Sequence, residues 1–182
     1  MRVLRQPGPP TSTRREAIEA SASGHFRVVL PEGVDLLHGL RDALLARGIA
    51  DAAIQLVGGE CAGLSYMTGM ADASGARVAT YGAPTVLAGP VTVIAGNAFL
   101  GCDRSGHLGG GPVVHCHAVL VDRDGRIHGG HVVPGACPVG AAGVTLRVTA
   151  LDGAGFAAEY DAETNYPIFR PVLTAALAKA AE

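Results

Sequence analysis

Three histidines, His115, His117 and His131, are spaced so that a single β-hairpin could gather their rings around a metal ion. They lie in the stretch VVHCHAVLVDRDGRIHGGHVV, Val113 to Val133. Alternation along a strand puts His115 and His117 on one face. Cys116 then points to the opposite face, between Val114 and Ala118, as a small core residue rather than a ligand. Arg123-Asp124-Gly125 suits a three-residue loop closed by a left-handed glycine. That loop pairs Asp122 with Arg126, His117 with His131 and His115 with Val133, and all three imidazoles share a face. Opposed Cβ atoms lie about 5 Å apart and i, i+2 neighbours about 6.5–7 Å apart. From such positions three rings can converge on one ion with Zn–N distances of about 2.0–2.1 Å. A two-residue loop would shift the register by one and move His131 to the other face.

Gly129 and Gly130 leave no side chain over the neighbouring strand, which gives a ligand room. His128 falls on the opposite face from His131 if the strand stays regular. With no carboxylate inside the motif, a three-histidine site resembles a catalytic zinc with an open position more than a closed structural one. Water on such a zinc drops to a pKa of about 7 and becomes a nucleophile. The competing readings are histidines on an ordinary strand surface, or rings stacked at a subunit interface without a ligand. Glu60, Asn97 and His107 are candidate pocket-lining residues near the motif.

The elements that must position these residues are legible in outline. HFRVVL (His25 to Leu30) reads as a strand. In PEGVDLLHGLRDALLARGI, Leu36, Leu37, Leu40 and Leu44 fall on one helical face, and Gly48 stands where a C-terminal glycine belongs. AAIQLVGG, GLSYMTGM, ARVATY, PVTVIAGNAF, GVTLRVTAL and FAAEY read as short strands between glycine turns, and GCDRSGHLGGG as a loop. NYPIFRPVLTAALAKAAE reads as irregular chain ending in an Ala-rich helix. One early helix followed by many strands predicts an α+β fold, a mainly antiparallel sheet with the helix packed on it.

The chain has 182 residues, 48% hydrophobic and 16% charged, which fits one domain with tails and argues against disorder in its bulk. Residues 1–23 read as an extended Arg- and Pro-rich arm, 24–160 as the domain and 161–182 as a C-terminal extension. The net charge of −2 argues against a large phosphate-binding surface. Arg2, Arg5, Arg14 and Arg15 precede the first acid and are the candidate nucleic-acid contacts. There is no CxxC pair, no apolar run of membrane-spanning length and no apolar leader segment, so a cytoplasmic protein with reduced thiols is expected.

The motifs resemble the PPC domain family (plants and prokaryotes conserved, also called DUF296). HFRVVLPEGVDLLHGLRDALLARGI is similar to its opening strand, turn and helix, and IQLVGGECAGLSYMTG to its glycine-rich β-turn-β stretch. GPVTVIAGNAF matches a family strand, and HCHAVLVDRDGRIHGGHV the prokaryotic pattern HxHxxLxDxxGxxxGGHL; together they span roughly His25 to Leu151. The resemblance implies a homotrimer, with zinc or another divalent metal at the HxH and GGH histidines, here His115, His117 and His131. It also brings the family's DNA-binding label, from plant members in which the domain follows an AT-hook. This chain has no Arg-Gly-Arg-Pro hook, and Gly89 to Ile94 departs from the plant Gly-Arg-Phe-Glu-Ile-Leu. The expected function is a homotrimeric, metal-holding binding module with a DNA-associated or regulatory role. The alternative is a three-histidine zinc enzyme acting on a small molecule between subunits.

Overall fold

A computed structural model describes residues 5–10 and 17–174. The first strand, β1 (Ser21–Leu30), leads into α1 (Leu36–Leu45), then β2 (Ala52–Met67), β3 (Gly69–Ala71), β4 (Ala79–Tyr81) and β5 (Thr85–Asp103). After these come β6 (Gly111–Val121), β7 (Ile127–Val132), β8 (Val139–Asp152), β9 (Ala154–Asp161) and β10 (Tyr166–Leu173). Eight strands form a sheet in the order β1-β8-β2-β7-β6-β5-β9-β10, and β3 pairs with β4 separately. A direct β2–β5 ladder closes β2, β7, β6 and β5 into a ring, so the sheet curls round its core. All ladders are antiparallel except the short β5–β9 contact. The mainly antiparallel α+β class is as the sequence indicates.

The one helix forms where the leucine spacing places it. Asp35 caps its N-terminus, accepting from the Leu37 and His38 amides, and Gly48 with φ +73° follows its end. Leu36, Leu37, Leu40 and Leu44 are buried against Ile54, Leu56, Val114, Cys116 and the other inward residues of the curled sheet. Each such leucine contributes roughly 1.5–3 kcal/mol of burial. Cys61, Cys116 and Cys137 are buried thiols, pushed up by burial to about 12, 12 and 11. They serve as core packing rather than as nucleophiles.

Three segments differ from the sequence reading. AAIQLVGG and the GLSYM of GLSYMTGM are parts of one strand, β2, and Gly69-Met70 begins β3. Gly59 sits at φ +136°, and a side chain there would run into the Gly143 carbonyl, so the glycines let β8 approach across a bulge rather than turn the chain. GCD belongs to β5, which leaves only 104–110 as the loop before β6. Tyr166–Leu173, within the stretch expected to be irregular, is an edge strand paired with β9 despite Pro167 and Pro171. An edge tolerates prolines because one side needs no amide donors. The expected Ala-rich helix falls mostly in 175–182, outside the described residues.

Candidate metal centre

The turn between β6 and β7 sets the site. Gly125 has φ +79° and donates its amide to the Asp122 carbonyl, while the Asp122 amide donates to the Arg126 carbonyl. The Asp122 carboxylate accepts from the Asp124 and Arg126 amides and from His128 Nε2 at 2.8 Å. The His128 bond, followed by the Arg126 amide, holds this carboxyl below the usual range. The other nitrogen of His128 meets the Tyr66 hydroxyl at 3.0 Å, tying the turn to β2.

This turn fixes the register in which His117 lies opposite His131. The expected His115–Val133 pair does not form. The β6–β7 ladder ends at His131, after which β7 runs along β2, and the Val133 amide bonds the Ser65 carbonyl. His115 nevertheless meets His131 ring to ring at 4.7 Å, and His117 meets His131 at 5.3 Å. One nitrogen from each of the three rings lies within 4.8 Å of the others. His115 Nε2 and His117 Nε2 are 3.1 Å apart. A tetrahedral ion bound at about 2.0–2.1 Å wants its nitrogens about 3.3 Å apart, so this pair is already at ligand spacing. His131 Nδ1 is buried without a hydrogen-bond partner, a state that costs free energy unless something binds it. The donor set therefore fits a divalent ion that accepts imidazole, zinc among them.

The rings are electrically prepared for that use. Burial, then the His131 and His117 rings, lower His115 to about 3. Burial, then His117, lowers His131 to about 4, and burial alone depresses His117. All three are neutral at neutral pH, so each offers a lone pair.

Aromatic residues that sequence reasoning passed over complete the surroundings. Tyr81 of β4 stacks on His131 at 4.8 Å, and Phe99 of β5 stacks on His115 at 5.1 Å. Phe169 of β10 lies 5.1 Å from His115 and edge-on to Phe99. A pocket of about 280 Å³ opens beside His115 and His131, walled by these rings with His107, Leu108 and Tyr166. A second, of about 400 Å³, reaches the same two histidines past Arg41, His38 and Met67.

The remaining predicted residues separate. His107 lines the aromatic pocket, on a loop tied down by the buried Asp103 carboxylate, which accepts from the Ser105, Leu108 and Gly110 amides. Burial pushes Asp103 up, but its bonds from Ser105, Gly110 and Leu108 outweigh it and hold the carboxyl low. Asn97 is exposed and directly opposite His117 on β5. It continues a polar row over the outer face through Gln55, Arg147 and Arg27. Glu60 lies over Gly140 and lines neither pocket at the triad. The room expected at Gly129 and Gly130 is taken by protein rather than ligand: a side chain at Gly130 would collide with the Met67 carbonyl of β2. In the arm, Arg5 is exposed and the Gly8 amide donates to the Glu163 carbonyl. Arg2, Arg14 and Arg15 lie outside the described residues.

A family model for the Plants and Prokaryotes Conserved (PCC) domain matches residues 17–149. Solved structures match most of the chain. A metal-containing protein from Archaeoglobus fulgidus is 20% identical with a TM-score of 0.69, over 86% of this chain and 99% of its own. A plant- and prokaryote-conserved protein from Pyrococcus horikoshii is 19% identical with a TM-score of 0.68, over 88% and 100%. A protein from Ralstonia eutropha that carries a provisional DNA-binding label is 19% identical with a TM-score of 0.61, over 79% and 89%. At these identities the likeness establishes the fold. No curated protein matches the chain significantly.

Proposed function

The chain belongs to the Plants and Prokaryotes Conserved domain family, and from that premise we propose that it is a metal-holding binding module whose ion sits on His115, His117 and His131. The observation that carries this is the convergence of one ring nitrogen from each of three neutral histidines, with His131 Nδ1 buried and unpartnered among them. The metal-containing relative from Archaeoglobus fulgidus supports it. A bound ion supplies Lewis acidity and an open coordination position. The chain's own part is to gather three lone pairs within 4.8 Å of one another and to shield two of the rings from water with Phe99, Phe169 and Tyr81. The aromatic pocket beside His115 and His131 favours a second reading, a metal-dependent enzyme acting on a small molecule there.

Metal analysis of the purified chain, with zinc titrated over a range of pH, tests the triad. One ion per chain is expected. Binding should persist to about pH 5, because His115 and His131 stay unprotonated well below 6.5. The sign for folding is separate. Both folded pKa values lie below the unfolded one, so their contribution to stability is full above 6.5 and is lost as pH falls through about 4 for His131 and about 3 for His115. Zinc binding that collapses at pH 6.5, or is absent, contradicts the site.

The module is proposed to be a homotrimer. Val29, Val57 and Val119 are 55%, 44% and 45% exposed, apolar side chains that burial between copies would cover. The end strands β1 and β10 leave edges that assembly would protect. Light scattering across micromolar concentrations should give three times the chain mass; a monomer throughout overturns this.

Direct DNA affinity is expected to be weak, despite the label on the Ralstonia eutropha protein. Net charge is −2, and phosphate contacts dominate nonspecific affinity. Any binding should depend on Arg2, Arg5, Arg14 and Arg15 and fall steeply with salt. Submicromolar anisotropy titrations at physiological salt that survive removal of the first twenty residues would place the DNA surface on the folded domain instead.

A further inference from the structure

We propose that the pocket beside His115 and His131 binds a small, single-ring aromatic molecule that presents an oxygen donor to the metal. This rests on the triad reading above and names the ligand class of the same site. The pocket's wall is built from four rings contributed by three strands: Tyr81 of β4, Phe99 of β5, and Tyr166 and Phe169 of β10, closed by Leu108 and Ile168. Phe99, Phe169 and His115 stand at the offset and edge-on spacings that rings adopt, 4.8 Å between Phe99 and Phe169 and 5.1 Å from each to His115. A planar guest would extend that arrangement. Two of the three imidazoles form part of the same wall, so a guest seated there has its edge beside the ion.

Size and charge narrow the class. A cavity of about 150 Å³ holds a benzene. The pocket's volume of about 280 Å³ therefore takes one ring with a short substituent, and a nucleotide or an oligosaccharide is too large for it. Its lining contains no Lys, Arg, Asp or Glu. A phosphate monoester would bury its charge there without a partner, which is costly. Arg77 stands 4.9 Å from the Tyr166 ring without lining this pocket, and Arg41 lines the other one. A guest with a neutral or singly charged oxygen group, neutralised by the ion itself, meets neither penalty.

The test uses the full chain with cobalt(II) in place of the resident ion, read by visible absorption, and two probes with the same metal-binding group. Benzohydroxamate carries a phenyl ring and acetohydroxamate a methyl. Both should perturb the cobalt spectrum, with benzohydroxamate bound at least tenfold tighter. Tyr166→Ala, whose ring contacts His107 rather than any of the three ligands, should keep the cobalt stoichiometry and lose most of that ratio. Phe169→Leu serves as a second variant should the first fold poorly. Cobalt bound with equal affinity for both probes overturns the aromatic assignment and leaves the metal site standing. A ratio unchanged in both variants also overturns it. A chain that takes up no cobalt overturns both readings together.

Discussion

Replacing His117 with alanine is expected to abolish metal binding while leaving the fold intact. His117 is the exposed member of the triad, on the outer face of β6, and its removal opens no hole in the core. Loss of one of three protein ligands should weaken zinc by 100-fold or more, since even supporting residues around a metal commonly cost about 10–100-fold. The melting temperature of the metal-free variant should stay close to that of the metal-free parent, because a surface substitution is usually worth within about 0.5 kcal/mol. His115→Ala is the instructive contrast. That ring packs against both Phe99 and Phe169, so its truncation should also destabilise the metal-free chain. Equilibrium dialysis with metal analysis, paired with thermal melts, separates the two effects. Stoichiometric zinc on His117→Ala would remove this residue from the ligand set.

The triad was legible because its information is local. Alternation placed His115 beside His117, and the loop Arg123-Asp124-Gly125 set the register that brings His131 opposite. The leucine helix was legible for the same reason, since its pattern and its closing glycine lie within one short stretch. The aromatic wall was not. Tyr81, Phe99 and Phe169 reach the histidines from three different strands, and only the tertiary fold brings them together there. β10 was hidden by Pro167 and Pro171, which signal broken chain unless the strand is known to be an edge. The glycines of β2 were read as a turn because conformational freedom looks alike in sequence whether it bends a chain or admits a neighbour. Here Gly59 admits the backbone of β8.

The same ambiguity at the GGH stretch gives a sharp expectation: Gly130→Ala should damage both stability and metal binding, and Gly129→Ala should do little. β7 is sandwiched between β6 and β2. A Cβ on Gly130 would stand 2.9 Å from the Tyr66 ring and closer still to the Met67 carbonyl. Neither can yield cheaply. Met67 contributes backbone, and Tyr66 is 7% exposed with its hydroxyl held by His128, which Asp122 holds in turn. The variant must instead push β7 away from β2, at about 1–3 kcal/mol for overpacking. His131 is the next residue, paired with Met67 across that same ladder, so its ring moves with the strand. Zinc affinity should fall tenfold or more. A Cβ on Gly129 meets the Ala118 carbonyl at 3.1 Å, which a shift of a few tenths of an ångström relieves, so its cost should stay within about 1 kcal/mol. Neither glycine has a positive φ, so the contrast isolates packing from backbone strain. Denaturant titrations and zinc competition on both variants decide it. Equal losses at the two positions would mean that the pair supplies flexibility to the strand rather than a seat for β2.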